Sequence, residues 1–135
     1  MTWRRALVRI ASYDVDELRK RLSAIFDRRQ ALEMKLVMLA AEVEAEMRHA
    51  DSDAELRVYR AGFLQGAKMR REKIDADIAE LALEEAGARD ALALAFESQK
   101  KFEHVEEMAR VAGVKLAARR ETAEMDEIGL RTRRV

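Results

Sequence analysis

A chain of 135 residues with 39% charged and only 5% aromatic side chains carries too little large apolar material for an ordinary globular core. Lysine plus arginine and aspartate plus glutamate both total 26, so no net field favours nucleic acid or an acidic membrane surface. The absence of cysteine excludes disulfides and thiolate chemistry, no uncharged apolar run could span a bilayer, and Arg4, Arg5 and Arg9 interrupt the only stretch that could open a signal peptide. The expected address is the cytoplasm.

Proline breaks the intrahelical ladder, and glycine lowers helix stability by about 1 kcal/mol relative to alanine. With no proline and five glycines, the chain predicts few, long helices.

The first helix is predicted over about residues 3–49. Along it Val8, Ala11, Val15, Leu18, Leu22, Ile25, Arg29, Leu32, Leu36, Leu39 and Val43 alternate at intervals of three and four, the mark of a coiled-coil seam. Ile10, Tyr13, Phe26, Met34 and Val37 fall outside the strict seam, and several are expected to widen the buried stripe. The helix should end at Arg48 and His49.

A polar turn is predicted at about 50–53, where Asp51, Ser52 and Asp53 cluster. Ser52 followed by Glu55 has the spacing of a capping box, in which the hydroxyl and the carboxylate each satisfy a backbone N–H of the new helix.

The second helix is predicted over about 54–132, with a break or fraying near 58–66, where Gly62 and Gly66 flank Phe63 and Leu64. Its seam reads Ala67, Arg71, Ile74, Ile78, Leu81, Glu85, Ala88, Leu92, Ala95, Gln99 and Phe102. Past Phe102 the spacing blurs through Val105, Ala109, Ala112 and Leu116. The charged stretch from Arg119 to Glu127 reads as a solvated single helix.

Two helices joined by a short polar turn form an antiparallel hairpin, because so short a connection forbids a parallel return. The predicted fold is therefore all-α: one coiled-coil hairpin over residues 1–135 with unequal arms, about 70 Å and up to about 120 Å long, the C-terminal helix overhanging. A turn near Ser52 sets Trp3 opposite the region of Lys101 and leaves residues 102–134 without an intramolecular partner, unless the chain forms a homodimer through this helix.

Arg29, Arg71, Glu85 and Gln99 sit in the seams, where polar residues cost stability and exclude other registers. Leu83, Leu94, Val105 and Leu116 recur every eleven residues with only about 20° of drift, across the helix from the hairpin seam. They form either a second contact ridge or scattered exposed leucines.

The seven methionines read as adaptable packing groups. His49 has no second ligand at helical spacing, and His104 has only Glu107 and Met108 near it, so no metal site is expected. No glycine-rich phosphate loop, nucleophile elbow or paired catalytic carboxylates occur, and neither a cofactor, a small-molecule substrate nor an enzyme activity is expected. Basic clusters stand at Arg4, Arg5 and Arg9, at Lys68 to Lys73, and at Arg131 to Arg134. Glu72 and Asp75 partly neutralise the middle one, whereas the terminal clusters keep more of their field.

Several stretches in order resemble one family. They are Leu7-Val8-Arg9-Ile10 through Val15-Asp16-Glu17-Leu18-Arg19-Lys20-Arg21-Leu22; Tyr59-Arg60-Ala61-Gly62-Phe63 through Arg70-Arg71-Glu72-Lys73-Ile74, with no proline after the tyrosine; Gln99-Lys100-Lys101-Phe102-Glu103; and Arg120-Glu121-Thr122-Ala123-Glu124-Met125-Asp126-Glu127-Ile128-Gly129. Over essentially its whole length the chain resembles the flagellar export family FliJ, in its alphaproteobacterial form.

That resemblance implies an antiparallel coiled coil serving the flagellar type III export apparatus, peripherally associated with the inner membrane. Its partners would be the hexameric export ATPase, the cytoplasmic domain of the export gate and the export chaperones. Trp3, Arg4, Lys100, Lys101, Phe102, Arg120, Glu121, Asp126 and Glu127 are the implied ATPase-facing candidates. Phe63 and Arg70 are those implied for the export gate or chaperones, with Leu83 and Leu94 of the ridge as further contacts. The alternatives are a homodimeric coiled-coil scaffold, or a type III secretion chaperone or secreted cargo.

Overall fold

The computed structural model describes residues 3–48 and 54–134. They form two helices, α1 (Trp3–Met47) and α2 (Ala54–Arg133), with no strand among the described residues. The expected Ser52 capping box, the polar turn and His49 lie outside the described residues. α1 closes with a tightened turn, Arg48 N–H donating to the Ala45 carbonyl at 3.3 Å. Glu55 lies in the first turn of α2 and Arg131 and Arg133 in its last, the arrangement that the helix dipole favours at each end.

α2 runs unbroken through Gly62 and Gly66, so the predicted interruption at 58–66 does not occur. Neither glycine has a positive φ. A helical glycine costs conformational entropy without removing a ladder hydrogen bond, and half-buried Phe63 and Leu64 hold this segment by side-chain packing.

The chain divides into two compact units, residues 17–92 and residues 1–16 with 93–135. In the first, α1 and α2 pack antiparallel. Arg29 meets Glu85, and farther up α1 Glu42 meets Arg70, an earlier residue of α2. Ile25, Leu81 and Ala88 form the buried cluster, with Leu22 and Leu32 against it. Alanine at Ala67 and Ala88 in the α2 seam lets the helices approach closely while leucine and isoleucine supply most of the area.

In the second unit α1 and α2 are again antiparallel: Arg4 pairs with Glu106, and Ser12 with Gln99. Ala11 and Val15 are its buried residues on α1. Glu106 lies more than a helical turn beyond Lys101, so Trp3 is not opposite the region expected from a turn at Ser52. Half-buried positions continue past Phe102 through Glu106 and Ala109 to Val111, so the unpartnered part of α2 starts later than predicted. From Ala112 to Arg134 every described residue is exposed.

All eleven positions of the predicted α1 seam are buried or half-buried. The α2 seam holds at every position except Arg71, which is exposed. No described acidic group pairs with Arg71, and an unpaired guanidinium costs far more to bury than to leave in water. Ile10, Tyr13, Phe26, Met34 and Val37 do not widen the stripe. They are 46–62% exposed, because a two-helix contact covers only a narrow sector of each helix.

Candidate partner-binding surfaces

The nine candidates for an ATPase-facing surface all lie in the unit of residues 1–16 and 93–135. α1 brings Trp3 and Arg4 to Glu106 of α2. Arg4 Nε stands 3.4 Å from one carboxylate oxygen of Glu106, and Arg5 Nε stands 3.4 Å from the other. The Arg4 guanidinium also lies 5.5 Å from the centre of the Trp3 ring, a cation–π distance. Glu106 is the residue that the sequence reading missed. Its signal was present, since one further step of four from Phe102 continues the seam spacing, but a carboxylate there did not read as a seam residue.

The other candidates are spread along α2. Lys100 pairs with Glu103 at 3.3 Å and lies 5.8 Å from the Phe96 ring, and Lys101 pairs with Glu97 at 3.2 Å. Phe102 is half-buried in the seam. Arg120, Glu121, Asp126 and Glu127 are exposed, with Glu127 held by Arg131 at 2.9 Å. Arg120 is fourteen residues past Glu106, about 21 Å along the helix. The structure therefore gathers Trp3 and Arg4 at one place and Arg120 to Glu127 at another.

Intrahelical ion pairs set the electrostatics of this segment. The Arg110 guanidinium, 2.6 Å away, holds the Glu107 carboxyl below the usual carboxylate range, and Arg110 is raised in turn. His104 is exposed. Among the described residues no group of three or more histidine, aspartate or glutamate side chains could hold a metal ion.

Phe63, Arg70 and Leu83 belong to the unit of residues 17–92, and Leu94 to the other. Phe63 is half-buried, whereas Arg70 is exposed and reaches Glu42 at 3.8 Å. Leu83 and Leu94 are 77% and 65% exposed. In the same unit as Phe63 and Arg70 the two helices leave a groove of about 400 Å³ lined by Leu36, Leu39, Val43, Leu64 and Ala67 together with Lys68 and Arg71, with neither Phe63 nor Arg70 in its lining. No helix among the described residues is long and apolar enough to cross a membrane.

What these surfaces offer is contact: exposed apolar side chains, a groove, and charges mostly paired within their own helix. No protein-family model matches the sequence, and no solved structure matches it. Among curated proteins, the "Flagellar FliJ protein" of Caulobacter vibrioides is 43% identical over 129 residues, covering 96% of this chain and 93% of that relative. The chain belongs to the FliJ family. The same protein from a second strain of that species matches equally. Because the FliJ match takes in nearly the whole chain, it covers material from both units and not the coiled-coil pattern of one segment alone.

Proposed function

We propose that the chain is a non-enzymatic component of the flagellar type III export apparatus. It acts as central stalk and activator of the hexameric export ATPase and links that enzyme to the export gate and to export chaperones. The observation that carries this reading is membership of the FliJ family across nearly the full length. In support, the nine ATPase-facing candidates fall in one compact unit built from both ends of the chain, while Phe63 and Arg70 fall in the other.

Mechanistically the chain hydrolyses nothing itself. A helical surface whose charges balance contacts several ring subunits through different faces without locking to one of them. The unpaired helix surface from Ala112 to Arg134, with Arg120 and Glu121 exposed, supplies such contacts. The protein works at the cytoplasmic side of the inner membrane, held there by its partners.

Deletion in the host, complemented with wild type or with a variant changed at Lys101, Phe102, Arg120 and Glu121 to alanine, tests the reading. Loss of motility and of filament-protein export, restored by wild type and not by the variant, is the expected result. A cargo role would instead leave export of the other filament proteins intact. Mass measured at low concentration separates the stalk from a scaffold: a monomer is expected, and a tight dimer through the C-terminal helix contradicts it.

A further inference from the structure

We propose that the groove between α1 and α2 docks an acidic amphipathic helix of a partner protein. Its apolar lining comes from both helices. Leu39 and Ala67 are buried, whereas Leu36, Val43 and Leu64 stay half-buried, so apolar surface is left open along the seam. A contact of two helices does not cover such a strip, and the apolar face of a third helix laid into it does. Leu36 and Val43 are seven residues apart, about 10 Å along α1, which accommodates two large side chains one turn apart on the incoming helix.

Charge selects the occupant. Lys68 and Arg71 belong to the lining itself and are exposed, and neither has an ion pair among the described residues. Glu44 also lines the groove, but Arg48 holds it at 2.7 Å, and Glu42 goes to Arg70 at 3.8 Å. Glu72 and Asp75, one turn beyond Lys68 and Arg71 along α2, are outside the lining. The groove therefore sets apolar surface beside two uncompensated cations three residues apart. That spacing matches carboxylates at i and i+3 or i+4 on one face of a helix.

Arg71 points the same way. It keeps the seam spacing as Arg29 does, and Arg29 is satisfied by Glu85 of the facing helix at 2.6 Å. No described residue of the chain supplies Arg71 with such an acid, so a carboxylate from outside completes the pattern and lets the guanidinium be covered as a paired charge. A lipid or nucleic-acid phosphate would meet the two cations and leave the apolar strip unused. None of the residues assigned to the export ATPase or the export gate lines this groove, so the proposal is independent of the stalk reading.

The probe is a fluorescently labelled helical peptide of alanine and glutamate carrying two leucines one turn apart. It is compared with a peptide that has lysine for every glutamate and with one that has alanine for both leucines. Anisotropy is followed as the full chain is added at low salt. Expected is binding of the acidic leucine peptide alone, weakened by added salt. Lys68→Glu, Arg71→Glu should weaken it about tenfold, whereas Lys115→Glu, Arg119→Glu, the same charge change on the exposed part of α2, should leave it within about twofold. Ala40→Trp fills the groove from an exposed lining position and should abolish binding with unchanged helical circular dichroism. No binding of the acidic leucine peptide, equal binding of the lysine or the leucine-free peptide, or indifference to Ala40→Trp or to the reversal of Lys68 and Arg71 overturns the proposal.

Discussion

The Arg29 guanidinium of α1 donates to the Glu85 carboxylate of α2 across 2.6 Å, both residues standing at seam positions where leucine would otherwise be expected. Arg89 approaches the other oxygen of Glu85 at 2.7 Å, and Arg29 lies 5.7 Å from the Phe26 ring. A pair of opposite charges at facing seam positions fixes one register, because any slip sets each charge against an apolar side chain.

Glu85→Ala should therefore lower the stability to urea by about 1–2 kcal/mol, since it leaves the half-buried Arg29 with only the longer 3.8 Å contact to Glu33. The double substitution Arg29→Met, Glu85→Leu should recover that stability or exceed it. Equilibrium denaturation of the single and double variants checks this, and a double variant less stable than Glu85→Ala contradicts the register role.

Leu81 and Leu83 are two residues apart on α2 and should behave oppositely. Leu81 is 3% exposed and belongs to the buried cluster with Ile25 and Ala88, so Leu81→Ala should cost about 2–4 kcal/mol. Leu83 is 77% exposed, and Leu83→Ala should stay within about 0.5 kcal/mol of wild type. Thermal melts of both variants suffice.

Gly66 lies inside continuous α2, and a Cβ built there meets nothing within 4 Å. Gly66→Ala should stabilise by about 0.5–1 kcal/mol, through the smaller loss of chain entropy on folding. A destabilised variant would mean that the position serves a close approach absent from the free chain.

Acid should remove the Glu107–Arg110 contribution. Arg110 depresses the Glu107 carboxyl in the folded helix, so the stabilisation is present above the ordinary glutamate value and is lost as pH falls through the depressed one. Lys73 runs the other way: Asp77 raises it, and its contribution disappears as pH rises through that raised value. Helicity followed by circular dichroism from neutral to acid pH should fall with a smaller acid-linked component in Glu107→Gln than in wild type. Both effects are small because these side chains are exposed.

The α1 seam was legible in the sequence because ten apolar residues and Arg29 keep the alternation of three and four without a gap. Arg71 misled because spacing alone does not say whether a charged seam residue finds a partner: Glu85 provides one for Arg29, and no acidic group among the described residues does so for Arg71. Gly62 and Gly66 read as a break because propensity is local, whereas the helix is held by packing of its neighbours. Ile10, Tyr13 and Phe26 looked like added core, yet two helices bury one sector each and leave the opposite side bare. Among the partner candidates, the antiparallel return that brings Trp3 and Arg4 back towards Lys101 was legible from the short polar turn, whereas the offset that pairs Arg4 with Glu106 was not, since it depends on how the seams engage.

The central claim is that the unit built from both chain ends engages the export ATPase. Its most direct test is the ATP hydrolysis rate of the host's flagellar export ATPase alone, with this chain, and with the variant carrying alanine at Lys101, Phe102, Arg120 and Glu121. The account predicts stimulation by the wild-type chain that is lost in the variant while its helicity is retained. No stimulation and no binding, or equal stimulation by the variant, would contradict it.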